Sequence, residues 1–447
     1  MLVRQAYRFA LNPNDRQRGR LASHAGGARY AYNLGLEWLK KSLGDNPKGA
    51  NAALEGAFEM HRRWNRWKKD PANGVRWWSD NSKCVYQEAF IDLERAVKAF
   101  FASRRGKLRG QRFGFPRFKH KGKSRDHFRL TGLIRLGPTW VQLPKLGVLR
   151  LNESPVKLLR RLDDGTARIT SASVTREAQR WFVSFRVECK RPAAVPRTTD
   201  VVGLDVGVNA LVTLSTGVVF APPPALRSTL VRLRRLSKAH SRKKKQSANR
   251  RRSAQRLARC HARIAHLRRD SLHKLSTRLA KSHGQIVIED LNVRAMVRNH
   301  RLARSIADAS WGELASMLEY KCRWYGARLI RADQFFASSK TCSSCGYRKK
   351  TLALAERTFS CEGCGNVLDR DLNAALNLAR WPEVAGSAPE TQNACGGDVT
   401  PGRRQADLDE AGTEQPLAAS GSEPIAQAVA FKVGPDDRRK GRVASGI

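Results

Sequence analysis

The chain has 447 residues, and 84 lysines and arginines against 39 aspartates and glutamates give it a formal net charge of +45. A soluble protein keeps such an imbalance only when a polyanion offsets its self-repulsion, so nucleic acid is the leading partner. No apolar run approaches the roughly 20 residues of a membrane-spanning helix and no basic-then-apolar leader opens the chain, which argues against a membrane partner and leads to the expectation of a cytosolic protein.

At roughly 100–200 residues per domain, two or three domains with real cores are expected. The opening LVRQAYRFAL sets Tyr7, Phe9 and Leu11 against Arg8 and Ala10, the two-residue period of a half-buried strand. A helix should follow, because Leu21, Ala25, Ala28, Tyr32 and Leu36 recur at three- and four-residue steps. Trp38, Trp64, Trp67, Trp77 and Trp78 crowd the first 80 positions, two of them among the cations of HRRWNRWKKD. Such aromatics stack on unpaired bases or pack helices together, and the sequence leaves both open. A helical stretch ends near Arg104, and RGKLRGQRFGFPRFKHKGKSRDHF is too rich in glycine and cations to form a core element. It reads as a loop that touches phosphate through Arg117, Lys119, Lys121 and Lys123. Short strands then recur in LIRL, TWVQLP, VLRLN, ARITSASVT and RWFVSFRVEC, the last alternating Trp181, Val183, Phe185 and Val187. They predict a small β-barrel or sandwich closed by the N-terminal strand and ended by the linker RPAAVPRTTD.

From Val201 the pattern becomes three strands, long helices, strand, helix, strand. VVGLDVG, ALVTLS and GVVFA form a meander with tight turns at Gly207 to Asn209 and Ser215 to Gly217, the opening expected of an RNase H-like fold. Residues 226–283 are helical, with Leu230, Leu233, Leu257, Cys260, Ile264, Leu267, Leu272, Leu275 and Leu279 as apolar stripes. Between the stripes SRKKKQSANRRRS makes a helical-hairpin tip whose Arg242, Lys243, Lys244, Lys245, Arg250, Arg251 and Arg252 carry no acid among them, a surface for a nucleic-acid backbone. IVIED is a buried strand, SWGELASMLEYKCRWYG a helix and ARLIRA another strand. Beyond Trp381 the composition shifts to glycine, alanine, serine, proline, glutamate and glutamine, so 382–447 is expected to be a disordered tail.

Asp205 and Glu289 each end an apolar strand, and Asp371 opens the helix DLNAALNLARW. Groups at the carboxyl ends of neighbouring strands converge on one crevice, and an acid is electrostatically favoured at a helix start. Together the three would make a hard oxygen site for Mg²⁺ or Mn²⁺, suited to phosphodiester hydrolysis. Physics alone does not choose between Asp369 and Asp371 as the third acid. The spacing C-x2-C-x15-C-x2-C of Cys342, Cys345, Cys361 and Cys364 is that of a structural zinc ribbon with no open coordination position. Cys84, Cys189, Cys260, Cys322 and Cys395 read as ordinary reduced cysteines.

Four motifs, GLDVGVNALVTLSTG, RRDSLHKLSTRLAKSHGQIVIEDLNV, SSKTCSSCGYR with CEGCG, and DRDLNAALNLAR, resemble the TnpB (OrfB) family of small bacterial insertion sequences, relatives of the type V CRISPR effectors. RYAYNLGLEW and FPRFKHKGK agree more weakly, and the resemblance covers roughly residues 1–381. It implies a multidomain α+β protein. Residues 1–195 would be a helical recognition region and a β-barrel wedge. Residues 196–381 would be a RuvC-like nuclease, with a helical insertion at 226–283 and a zinc ribbon at 338–367. It also implies that Asp205, Glu289 and Asp371 are the RuvC-type acids, the third standing two positions before the Asn-Ala pair. The implied activity is RNA-guided DNA cleavage in a bacterial cytoplasm, with a guide RNA from the element and double-stranded target DNA as partners and a short target-adjacent motif read by the protein. Two other readings stand beside it: a transposase that transfers strands, and an RNA-guided DNA-binding regulator that does not cut.

Overall fold

The computed structural model describes residues 1–44, 56–73, 75–107, 112–195, 200–207, 210–296, 298, 310–353 and 356–387. Strand β1 (Leu2–Ala10) pairs along its whole length with β7 (Arg180–Lys190), from Leu2 opposite Lys190 to Ala10 opposite Phe182. β7 returns from β6 (Ala167–Glu177), and β2 (His127–Leu130) adds to the far side of β6, giving the antiparallel order β1-β7-β6-β2. A second antiparallel sheet joins β3 (Arg135–Leu136), β4 (Trp140–Leu143) and β5 (Gly147–Arg150). The two meet where the chain leaves β1: the Leu11 N–H donates to the Trp181 carbonyl and the Asn12 N–H to that of Arg150, each at 2.8 Å. The N-terminal strand therefore joins the β region as expected, but the described pairings make two sheets rather than one closed ladder.

Asn14 starts helix α1 (Asp15–Leu43) with a reciprocal cap: its side chain accepts from the Gln17 N–H at 2.9 Å, and its own N–H donates to the Gln17 side chain at 3.0 Å. All five apolar positions read from the sequence, Leu21, Ala25, Ala28, Tyr32 and Leu36, are buried. They pack with α2 (Ala57–Trp67) and α3 (Lys83–Arg104). The tryptophans mostly take the packing option. Trp64 and Trp38 are buried, Trp67 and Trp78 are half-buried, and Trp77 is exposed with its ring edge-on to Tyr30 at 5.2 Å.

One expectation for this half needs correction, and one element goes unannounced in the sequence. The cationic segment after Arg104 does contribute to the core, because β2 begins inside it and buries Phe128 and Leu130, while His127 and Arg129 are half-buried and Arg129 donates to Glu88 of α3 at 2.9 Å. Four residues are too few for that alternation to stand out from the surrounding charge. A short helix, α4 (Val156–Asp163), lies between β5 and β6 and buries Leu158, an element with too little apolar repeat to announce itself.

The second half is built on a five-stranded sheet of order β10-β9-β8-β11-β12. β8 (Val201–Asp205), β9 (Val212–Leu214) and β10 (Val219–Phe220) are the antiparallel meander, whereas β8, β11 (Gln285–Glu289) and β12 (Arg328–Ala332) run parallel. Parallel strands covered on both faces read as continuous apolar runs, and VVGLD and QIVIE do. On one face lie α6 (Ala248–Ser282) and, beyond the four-residue α7 (Val293–Met296), helix α8 (Trp311–Tyr325). The last helix, α9 (Arg370–Ser387), covers the other with Leu378 and Trp381. Its path demands a glycine: a methyl at Gly203 in β8 would sit 2.0 Å from the Ala375 carbonyl oxygen and 2.5 Å from the Ala379 nitrogen.

Helix α5 (Pro224–Ser241) and the first half of α6 form the expected hairpin, with Leu226, Cys260 and Ile264 as its small core. At its base the buried Lys321 of α8 donates to the His273 carbonyl (2.7 Å), the Ser276 hydroxyl (2.7 Å) and the Thr277 hydroxyl (2.8 Å), tying α8 to α6. Burial without a carboxylate brings its ammonium pKa down to about 8.

Residues 1–387 form one compact unit with separate cores for the two halves. Helix α9 continues through Pro382 to Ser387, past the Trp381 boundary set from composition. The rest of the expected tail, 388–447, and Cys395 within it, lie outside the described residues, as do Val208 and Asn209 of the first expected turn. The second turn is present, with Gly217 at φ 81°. Cys84, Cys189, Cys260 and Cys322 are free and buried. No described helix is long and apolar enough to cross a membrane.

Candidate active site and nucleic-acid surface

The parallel strands β8 and β11 end together, so Asp205 and Glu289 arrive at the same edge of the sheet. Asp371 reaches it from the other direction, in the first turn of α9. Its Oδ2 lies 3.8 Å from where a Cβ on Gly207 would stand, two residues beyond Asp205. Burial first, and then the charges of Glu289 and Asp371, raise the Asp205 carboxyl to about 8 against the opposing pull of Arg370. Three acids from distant parts of the chain thus share one electrostatic site. Glu289 is oriented by Ser338, whose hydroxyl donates to its Oε1.

Asp369 and Asp371 differ in what they contact. Asp369 Oδ1 accepts the backbone N–H groups of Asp371 and Leu372, both at 3.0 Å, which is the work of an N-cap. Asp371 acts more strongly on Asp205 than Asp369 does.

A carboxyl raised from its ordinary value keeps a proton in the folded state that the unfolded chain releases. Folding is therefore penalised increasingly as pH rises from about 4 towards 8, and fully above that. Without divalent cations, Asp205→Asn is expected to melt a few degrees above the unsubstituted protein at pH 8, the gap closing towards pH 4. A melting series on both proteins across that range checks it. Equal melting temperatures at pH 8 would mean that burial and the neighbouring acids do not raise the Asp205 carboxyl.

The four cysteines form the one group of three or more His, Cys, Asp or Glu side chains among the described residues whose ligand atoms all lie within 4.8 Å of one another. Cys342 and Cys364 sulfurs are 3.8 Å apart and those of Cys345 and Cys361 3.5 Å, against about 3.8 Å for a tetrahedron with Zn–S bonds of about 2.3 Å. Burial pushes the Cys342 thiol up, but N–H groups of Cys345 and Ser344 and the neighbouring thiols outweigh it and bring it down to about 6. Cys364 is lowered by the Asn366 N–H but pushed up, to about 12, by Cys345 and the other thiols. Four thiols so placed cannot all ionise without a cation among them, so the donor set fits zinc.

The cluster is fastened to α9. The Ser343 N–H donates to Asn373 Oδ1 (2.9 Å), Asn373 Nδ2 donates to the Thr341 carbonyl (2.7 Å), and Asn377 Nδ2 donates to the carbonyls of Ser338 (2.7 Å) and Thr341 (2.6 Å). From the other side, β13 (Thr358–Ser360) pairs with β14 (Val367–Asp369), which runs directly into α9. Sequence reading found the cysteines and Asp371 but missed Gly203, Ser338, Asn373 and Asn377. A small residue in a strand and two amides in a helix carry no local sign of partners 30 or more residues away.

The cationic residues divide in two. Arg117, Lys121, Lys123, Arg242, Lys243, Lys244, Lys245, Arg251 and Arg252 are exposed. Lys119 and Arg250 instead hold structure. The Lys119 N–H donates to Asn33 Oδ1 (2.8 Å) and its ammonium lies 3.7 Å from the Tyr32 ring centroid, pinning the loop to α1. Arg250 donates to the Lys243 carbonyl at 2.9 Å and closes the hairpin tip. The hairpin arms add exposed Arg227, Arg234, Arg235, Lys238, Arg256 and Arg259, which sequence reading passed over because they sit between the apolar stripes.

Comparison with known proteins gives three family matches: the OrfB_IS605 model, described as "Probable transposase", over residues 184–300; the "Cas12f1-like, TNB domain" over 311–378; and a "Helix-turn-helix domain" of OrfB_IS605 proteins over 1–45. In the last of these the described residues form β1 and the single helix α1. A Streptomyces pristinaespiralis protein named "Putative RNA-guided DNA endonuclease" is 38% identical over 407 residues, covering 90% of this chain and 93% of its own. The Escherichia coli K12 "Putative RNA-guided DNA endonuclease InsQ" is 32% identical over 417 residues, covering 89% and 96%. Among solved structures, a Cas12f1–sgRNA–target DNA complex matches at TM-score 0.44 and 12% identity, covering 85% of this chain and 99% of that one.

Proposed function

We propose, from the premise that this chain belongs to the TnpB (OrfB) family, that it is a transposon-encoded, RNA-guided DNA endonuclease of the bacterial cytoplasm. The observation that carries the reading is the half-buried Asp205, whose carboxyl is raised to about 8 by desolvation and by Glu289 and Asp371. Three acids gathered at a strand edge in a protein of net charge +45 are costly unless a cation joins them. On this reading the five-stranded sheet is an RNase H-like, RuvC-type core, and 1–195 is the recognition and wedge region.

Asp205, Glu289 and Asp371 would hold Mg²⁺ or Mn²⁺, which supplies charge stabilisation and water activation to phosphodiester hydrolysis. Ser338 keeps one Glu289 oxygen oriented, and Asp369 fixes the helix turn that presents Asp371. Cys342, Cys345, Cys361 and Cys364 would hold a structural zinc. The exposed cations of the 112–126 loop and the hairpin would line the backbones of guide RNA and target DNA, while base pairing selects the sequence.

The family description as a transposase favours a second reading, strand transfer by the same acids. One experiment separates the readings: protein reconstituted with RNA transcribed from its own element, with only the guide segment changed. The cut is expected to move with the guide and to leave hydrolysed, unjoined ends. Binding should weaken steeply with salt, each phosphate contact adding roughly 0.7–0.9 to the log–log slope. Cutting that ignores the guide or needs no RNA, or joined strand-transfer products, would overturn the guided-nuclease reading. Guided binding with no cut would indicate a regulator.

A further inference from the structure

Strand β12 runs beside β11 with Ala332 opposite Glu289. Three residues beyond Ala332 stands Phe335, 80% exposed and the most exposed of the large apolar side chains among the described residues. A lone exposed phenylalanine is ordinary on a floppy surface. This one stands on a fixed turn: its N–H donates to Asp333 Oδ1 at 2.7 Å, and the next N–H, of Phe336, donates to the Asp333 carbonyl at 3.1 Å. The Phe336 ring packs against Trp381 of α9 with centroids 4.7 Å apart, so the neighbouring ring anchors the turn. Three residues past Phe335, Ser338 donates to Glu289, and its carbonyl accepts from Asn377 at 2.7 Å. One ring is therefore packed against Trp381 at the edge of the core while its neighbour is held in solvent, on the same turn that orients an acid of the site.

We propose that Phe335 is a positioning residue that stacks on an unpaired base of the DNA strand presented to Asp205, Glu289 and Asp371. An aromatic face in water beside a polyanion-binding site is what a base face recognises, and every base has one, so stacking needs no sequence preference. It does need an unpaired base, because both faces of a base inside a duplex are already covered. The inference rests on the nuclease reading above and adds the ring that sets which phosphate reaches the acids.

The test uses RNA-loaded protein and target DNA carrying 2-aminopurine at each position around the cut in turn, in an Asp205→Asn background that keeps the strand whole. One position should be quenched by Phe335, released by Phe335→Ala and quenched again by Phe335→Tyr. In the cutting protein, Phe335→Ala should raise KM for target by about tenfold to a hundredfold, with Phe335→Tyr restoring it. The melting temperature should stay put, since the ring packs on little. A Phe335→Ala protein with unchanged KM and unchanged fluorescence at every position overturns the proposal. If unsubstituted protein binds guided DNA but does not cut it, the nuclease reading fails by itself, and the fluorescence arm still decides the stacking.

Discussion

Alanine at Asp205, Glu289 or Asp371 is expected to lower guided DNA cleavage by about a hundredfold or more while leaving RNA and DNA binding nearly intact. Charge stabilisation at such a site is worth several kcal/mol in the transition state, and each factor of ten in rate takes about 1.4 kcal/mol. On the proposed reading binding rests elsewhere, on the cations of the hairpin and the loop, which are exposed. Asp369→Ala is the informative control. Its carboxylate is occupied with two backbone N–H groups at the start of α9, so its loss should cost about 1 kcal/mol of helix stability and only part of the cleavage. Single-turnover cleavage of plasmid targets beside filter binding measures both quantities. A dead Asp369→Ala with a near-normal Asp371→Ala would reassign the third acid.

Much of this was legible because it follows from local periodicity or spacing. The strands VVGLD and QIVIE, the α6 stripes and the cysteine quartet each declare themselves within a few residues, and two parallel strand ends bring Asp205 and Glu289 together without further instruction. What was hidden depends on partners far along the chain. Gly203 looks like a weak point in a strand until α9 crosses it with backbone 2.0 Å from where a methyl would be. Lys119 and Arg250 look like phosphate contacts until Asn33, Tyr32 and the hairpin-tip carbonyls claim them. Composition cannot separate a cation that staples a turn from one that waits for a polyanion. Asp369 and Asp371 are the clearest case: two residues apart and chemically alike, they part only when the helix start gives one of them two N–H donors.

That helix start leads to the second large effect. Freshly purified, reduced protein is expected to carry about one zinc per chain, and Cys342→Ser to release it, loosen residues 338–380 and lower cleavage about as far as loss of an acid does. A closed four-thiolate site couples metal binding to folding with an apparent affinity of roughly 10–16 kcal/mol, far more than a small two-stranded hairpin can supply by burial. The consequence reaches the acids because Thr341 and Ser343, flanking Cys342, are hydrogen-bonded to Asn373 and Asn377 of α9. Ser338, at the foot of the same segment, holds Glu289. Zinc content, protection from hydrogen exchange over 338–380 and cleavage rate should therefore fall together in Cys342→Ser. Asn373→Ala separates the links: zinc should stay, while exchange at the start of α9 quickens and cleavage drops. Zinc-free protein with full activity would remove the metal from the argument, and an Asn373→Ala protein with normal cleavage would break the connection between ribbon and acid. If both substitutions behave as expected, the ribbon sets the angle at which α9 delivers Asp371, and a cluster with no open coordination position still governs the chemistry through four hydrogen bonds between the side chains of Asn373 and Asn377 and the backbone of 338–343.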